Sequence, residues 1–150
     1  MVRKVVFCGL AASLAVSVTL ATGALAGGNG AVKSSLGPGS ASTTCSPSSG
    51  SNGWAILNAP GAPGAATFVN GEVHLVDGTP PGTTYVIEIG MSNGMGGSAC
   101  TRTTDTLTTN GQGIGNGHID VPMMTGGTYF VALFDTAGNE QYASSPVTVS

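Results

Sequence analysis

The sequence predicts an all-β protein built as a single antiparallel β-sandwich. Three observations support this. Beyond residue 53 the chain consists of short stretches of strand-forming residues in which apolar and polar positions alternate. Clusters of Gly, Pro, Asn and Asp separate these stretches at the spacing typical of sandwiches. No segment repeats its apolar residues with the period of an amphipathic helix.

The first 26 residues predict a secretory signal peptide. Arg3 and Lys4 form a positive start, residues 5–20 are largely apolar, and residues 24–26 (Ala-Leu-Ala) form a small-x-small cleavage site. An uncleaved membrane anchor is the alternative, because residues 5–26 are nearly long enough to span a bilayer. Gly, Ser and Thr within the run, and the lack of a basic stop after it, favour cleavage. We therefore expect a secreted, extracytoplasmic product with no membrane insertion after signal removal.

Residues 27–53 predict a flexible tether, because Gly, Ser, Pro, Thr and Ala dominate them and apolar periodicity is almost absent. Cys8 leaves with the signal, so Cys45 in the tether and Cys100 in the domain 54–150 remain as an even pair. In an oxidising compartment we expect them to form a disulfide, with two free thiols as the alternative. This bridge would close a loop of about fifty residues, worth about 4 kcal/mol in the chain-entropy model.

Seven strands are predicted after the tether. They cover residues 54–57, 67–76, 84–91, 101–109, 117–121, 128–134 and 142–149. The first is the apolar run Trp-Ala-Ile-Leu, and the second ends at an Asp-Gly turn. The third alternates most clearly, with Tyr85, Ile87, Ile89 and Met91 on one face and Glu88 and Gly90 on the other.

The remaining four strands have different characters. The fourth is rich in Thr and predicts a poorly buried edge, and an Asn-Gly hairpin turn follows it. The fifth places Ile119 and Val121 inward. The sixth is apolar on both faces, as expected of a central strand, and an Ala-Gly-Asn turn leads into the seventh. Seven strands with these turns predict an immunoglobulin-like sandwich, and an open-ended barrel is the alternative.

Several motifs carry a resemblance to known families. Pro-Pro-Gly-Thr-Thr-Tyr-x-Ile-x-Ile at 80–89, Leu-Thr-Thr-Asn-Gly-x-Gly at 107–113 and Gly-Thr-Tyr-x-Val-x-Leu at 127–133 resemble small exported bacterial immunoglobulin-like domains. This resemblance covers residues 71–133 and implies a fold but no activity. Residues 133–139 are similar to a turn of the neocarzinostatin-type chromoprotein apoproteins, sandwiches that carry a chromophore in a cleft. Those proteins have two disulfides in the domain and this chain can form only one, so no binding residue is carried over.

Charge excludes one class of partner. The chain has four basic and seven acidic residues. Removal of Arg3 and Lys4 with the signal leaves two basic residues against seven acidic ones, a net charge of −5. Two basic residues cannot neutralise a phosphate backbone, so we expect no nucleic-acid partner. An extracellular protein or a cell-surface polymer remains as the expected partner.

No catalytic constellation is predicted, and neither is a cofactor. Ser98 lies in a glycine-rich loop without the strand–turn–helix context of a nucleophile elbow. The carboxylates are spread singly through strands and turns, and their spacing indicates no acid–base pair. We therefore expect the protein not to be an enzyme.

Two histidines and two carboxylates form a candidate metal site. Glu72 and His74 share the outer face of the second strand, and His118 and Asp120 share that of the fifth. If these strands pair antiparallel, one register places His74 opposite His118, and a two-residue shift places a histidine opposite a carboxylate. Such a set could hold zinc or copper. The alternative is a polar face that keeps the sheet soluble.

Four methionines form a second candidate site. Met91 and Met95 belong to one predicted loop region and Met123 and Met124 to another, and the expected topology places both at the same pole. Four thioethers could bind Cu(I), or they could form an apolar patch for a ligand or partner. They could also fill the end of the core.

From these features we expect an exported, non-enzymatic binding or structural/adhesion module. The alternative is a carrier of a small ligand or of copper or zinc.

Overall fold

The computed structural model of the protein describes residues 31–58, 67–92, 98–124 and 127–149. These ranges contain nine β-strands and no helix, so none of the described segments is a helix able to cross a membrane. The predicted signal peptide lies outside the described residues. The strands are β1 Val32–Pro38, β2 Gly53–Asn58, β3 Thr67–Leu75, β4 Thr84–Ser92, β5 Ser98–Thr108, β6 Gly115–Met124, β7 Gly127–Phe134, β8 Glu140–Ser144 and β9 Val147–Val149.

All strand pairs are antiparallel and belong to one curled sheet. The order is β5-β4-β7-β8-β1-β2-β3-β6, and β9 pairs with β7. The two end strands, β5 and β6, pack beside each other. The backbone N–H of Asp120 in β6 donates to the Asp105 carboxylate in β5, at 3.2 Å. The sheet is therefore nearly closed into a barrel, and the prediction of an all-β antiparallel protein is confirmed.

Each predicted strand has a counterpart between β2 and β9. The predicted seventh strand is interrupted: β8 ends at Ser144 and β9 begins at Val147. Pro146 lies between them, and proline has no N–H to donate to a ladder. This interruption is one reason why the described strands outnumber the predicted seven.

The other reason is β1, which corrects the prediction of a flexible tether over residues 27–53. Val32–Pro38 pairs with β2 on one side and with β8 on the other, and Leu36 is fully buried. The sequence hides this strand because two of its buried residues, Ser34 on the inner face and Gly37 under residues 39–50, are small and are not recognised as an apolar stripe. A Cβ at Gly37 would collide with the backbone of Ser49, so this glycine serves close packing.

The main core fills the interior of the curled sheet with aliphatic side chains and three tyrosines, Tyr85, Tyr129 and Tyr142. The rings of Tyr85 and Tyr142 meet edge to face, with centroids 5.7 Å apart. The Tyr142 hydroxyl accepts a hydrogen bond from the Thr79 N–H at 2.9 Å and donates to the Asp77 carbonyl at 3.2 Å. The core thereby also fixes the β3–β4 connection at one end of the barrel.

A second apolar cluster lies on the outer side of β4, β7 and β8. Phe130, Ala132 and Phe134 point outward from β7, yet each is at most 5% exposed. Residues 39–50, which we call the cover, run across this side and contribute Cys45 to the cluster. A side chain at Gly90 would collide with the Phe130 ring. Both faces of β7 are apolar because its outer face is buried under the cover, which lies in the segment predicted as a tether.

The predicted disulfide is confirmed and attaches the cover to β5. Cys45 and Cys100 are bonded, with their Cα atoms 6.0 Å apart and a sequence separation of 55. The disulfide thus closes a long loop that contains β2, β3 and β4, which constrains the unfolded state.

Glu140 holds the other side of the cover. Its side chain is fully buried, and its carboxylate accepts hydrogen bonds from the backbone N–H groups of Ser40 at 2.9 Å and Ser46 at 2.7 Å. Its own backbone pairs with Ala41 and Ser42. One outer side of the barrel is therefore covered, whereas the outer side of β1, β2, β3 and β6 faces solvent.

Candidate functional site

The solvent-facing side of β1, β2, β3 and β6 carries two histidines, two carboxylates, a lysine and a tryptophan. We call it the open face. Alternation sets its composition: Ala55, Leu57 and Val73 point into the core, so their neighbours point outward. The outward residues are Lys33, Ser35, Trp54, Ile56, Asn58, Asn70, Glu72, His74, Asn116, His118 and Asp120.

Trp54 lies at the centre of a three-residue stack on this face. The indole and the His74 imidazole are nearly parallel, with an interplanar angle of 20° and centroids 4.7 Å apart. The Lys33 ammonium lies 4.4 Å from the centre of the indole. Since β1 and β3 flank β2 on opposite sides, the cation and the imidazole reach Trp54 from opposite sides. Exposed cation–π contacts are worth about 0.5–1 kcal/mol, so the ammonium is held only weakly.

The register of β3 and β6 decides between the two arrangements considered for the histidines. Glu72 lies opposite His118, and His74 lies opposite Asn116. This is the arrangement with a histidine opposite a carboxylate, and Asp120 faces Asn70. The two imidazoles are diagonal neighbours across the strand pair.

Glu72 connects this pair to the stack. Its Oε2 lies 3.3 Å from Nε2 of His74, and 61% of the Glu72 side chain is exposed against 25% for His74. Within the described ranges, no three His, Cys, Asp or Glu residues are grouped so that they could hold a metal ion.

One end of the open face is apolar. Leu75 pairs with Gly115, so the next outward residues, Val76 and Ile114, are neighbours across β3 and β6. They are 40% and 42% exposed, among the most exposed large apolar side chains described. Val76 follows His74 on the same side of its strand, so this apolar end continues the surface of the Trp54 stack.

The predicted methionine site falls largely outside the described structure. Met91, at the end of β4, is 44% exposed. Met95 lies outside the described residues, and so do the side chains of Met123 and Met124. The same holds for the side chain of Ser98. The methionine patch therefore stays a prediction.

Perturbed titratable groups do not gather at a common site in the described chain. Burial raises the pKa of Glu88, although Arg102 beside it acts in the opposite direction. Hydrogen bonds, chiefly from the Asn139 backbone, lower the pKa of Asp135 in the β7–β8 turn. A shallow depression of about 340 Å³ lies elsewhere, lined by Pro47, Ser48, Ser49, Ser145 and Pro146, none of which is titratable.

Sequence reasoning identified the polar half of the open face but missed its aromatic centre. Trp54 was placed only in a strand, although its alternation with Ala55 and Leu57 already indicates an outward side chain. Lys33 was missed because it lies in the segment interpreted as a tether. No family model, no curated protein and no solved structure matches this chain.

Proposed function

We propose that this protein is an exported, non-enzymatic binding module that contacts its partner through the open face. The observation that carries the proposal is the position of Trp54, the single tryptophan of the chain, outward on a solvent-facing sheet. Tryptophan is enriched at the energetic centres of interfaces, where its large ring makes contact. The other outer face buries Phe130 and Phe134 under the cover, whereas Trp54 stays partly exposed.

Two observations support export. The N-terminal pattern is that of a signal peptide, and the Cys45–Cys100 disulfide is typical of proteins in oxidising compartments.

We further propose that the fold is an immunoglobulin-like sandwich extended by β1. The order β2-β3-β6 on one side and β5-β4-β7-β8 on the other supports this assignment. Strand β1 joins the two sides by pairing with both β2 and β8. A rigid sheet of this kind suits a binding module because it holds the outward side chains in fixed positions without a ligand.

Retention on the cell surface tests the proposal. We would mix the purified protein with washed envelope from the cells that produce it and measure the fraction retained. Trp54→Ala should lower retention at least tenfold, whereas Thr104→Ala, at an exposed position of β5, should leave it unchanged. Thermal unfolding of both variants controls for loss of the fold.

Three results would contradict the proposal. Equal retention of Trp54→Ala and the unaltered protein would show that the open face is not the contact surface. No retention of the unaltered protein would remove the binding role itself. Retention that requires added zinc or copper would favour the metal-carrier alternative.

A further inference from the structure

We infer that the ligand of the open face is an uncharged polysaccharide, an assignment that rests on the binding role proposed above. Four features of the open face support it: the Trp54 stack, the polar groups around that stack, the charge of the face and its footprint.

The indole supplies a platform for a sugar ring. A pyranose carries C–H groups on one face that pack on an aromatic ring, and Trp offers the largest such ring. Lys33 lies over the indole only through an exposed cation–π contact, so a sugar can displace it at a cost of about 0.5–1 kcal/mol. Once displaced, the ammonium has three N–H donors for sugar hydroxyls.

The groups around Trp54 match hydroxyls, which both donate and accept hydrogen bonds. Asn70 and Asn116 present amides that do the same. No hydrogen bond between described residues engages these two amides, so they are available to a ligand. Glu72 and Asp120 add acceptors. Outward groups are about 4.8 Å apart across strands and about 7 Å apart along them, a grid that a chain of sugar rings can follow.

The charge of the face favours an uncharged ligand. Lys33 contributes one positive charge, and Glu72 and Asp120 contribute two negative ones, so the face carries a net charge of −1. A polyanion would meet two carboxylates and a single ammonium. A polycation would meet the Lys33 ammonium beside Trp54. An uncharged ligand avoids both penalties.

The footprint of the face favours a narrow, extended ligand. In projection, four strands and seven residue positions along them span about 15 Å by 20 Å. A standard protein interface uses about 20–30 residues on each partner, more than the described outward residues of the open face. A single polysaccharide strand can lie along these residues.

Chemical treatment of the envelope separates this inference from the binding role. Periodate cleaves vicinal diols and destroys most sugar rings, and protease removes protein. We expect periodate to reduce retention at least tenfold and protease to leave it within twofold of the untreated envelope. Loss of retention after protease, but not after periodate, would leave the binding role intact and overturn the polysaccharide. Absence of retention on untreated envelope would overturn both.

Fluorescence locates the contact. Because Trp54 is the only tryptophan, its emission reports on the open face alone. The probe is the envelope polysaccharide, extracted and freed of protein. It should lower the acrylamide quenching of Trp54 at least twofold, and Thr104→Ala, at an exposed position of β5, should retain this protection. Alginate, a polyanionic control, should give none. Protection by alginate but not by the extracted polysaccharide would overturn the inference, as would unchanged quenching with a polysaccharide that retains the protein.

Discussion

The buried carboxylate of Glu140 connects the cover to the barrel, and its removal tests whether the cover belongs to the folded core. The carboxylate accepts two backbone hydrogen bonds, from Ser40 at 2.9 Å and from Ser46 at 2.7 Å. Glu140→Gln keeps one acceptor oxygen but turns an NH₂ group toward the other backbone N–H. Glu140→Ala removes both acceptors and leaves both N–H groups without a partner.

The expected loss of stability follows from those two bonds. A hydrogen bond to a charged group contributes about 1.5–3 kcal/mol to stability. We expect Glu140→Gln to lower the free energy of unfolding by about 2 kcal/mol and Glu140→Ala by about 3 kcal/mol. Against a typical total of about 5–15 kcal/mol, both losses are readily measured.

Urea unfolding gives the free energies, and amide hydrogen exchange gives their location. In both variants the amide protons of Ser40 and Ser46 should exchange faster. Those of β3 and β6 should exchange faster only to the extent that the global free energy of unfolding falls. Thr104→Ala, at an exposed position of β5 outside the cover, serves as the control. Stability of Glu140→Ala within about 0.5 kcal/mol of the unaltered protein would refute the reasoning, because surface substitutions typically fall in that range.

Three further predictions concern the same side of the barrel. Replacing Cys45 and Cys100 together by Ser should lower the free energy of unfolding by about 4 kcal/mol in urea unfolding, and a smaller loss than 1 kcal/mol would contradict the loop-closure argument. Gly90→Ala should cost about 1–3 kcal/mol because its Cβ meets the Phe130 ring, and an unchanged midpoint would contradict that contact. Glu88 has a raised pKa in the fold, so its charged form is disfavoured there. Stability should therefore increase as pH falls through the folded pKa of Glu88 toward 4.5, the ordinary pKa of a glutamate. Glu88→Gln should remove this trend from unfolding curves measured at different pH values.

Most strands could be predicted from sequence because apolar and polar residues alternate within each strand, so the pattern can be read without knowing which strands are neighbours. Tyr85, Ile87 and Ile89 show this clearly in β4. The strand β1 could not be predicted, because its buried positions include Ser34 and Gly37, and small residues carry little apolar signal. Burial there depends on the neighbours β2 and β8, which the local sequence does not contain.

The register between β3 and β6 on the open face could not be predicted from the sequence either. A shift of two residues keeps every side chain on its face, so the pattern could not decide whether His74 or Glu72 lies opposite His118. The position of Trp54 was open to prediction, since Ala55 and Leu57, which follow it at alternate positions, mark the inward side. Its contact with Lys33 was not, because that contact depends on the pairing of β1 with β2.

The central claim is that the open face is the contact surface of this protein. NMR shifts of the backbone amides and the indole N–H, recorded with and without the polysaccharide extracted from the envelope, test it most directly. We expect the largest changes on the Trp54 indole N–H and on outward residues of β1, β2, β3 and β6, with the cover unchanged. Changes confined to the cover or to the region of Met91 would contradict it.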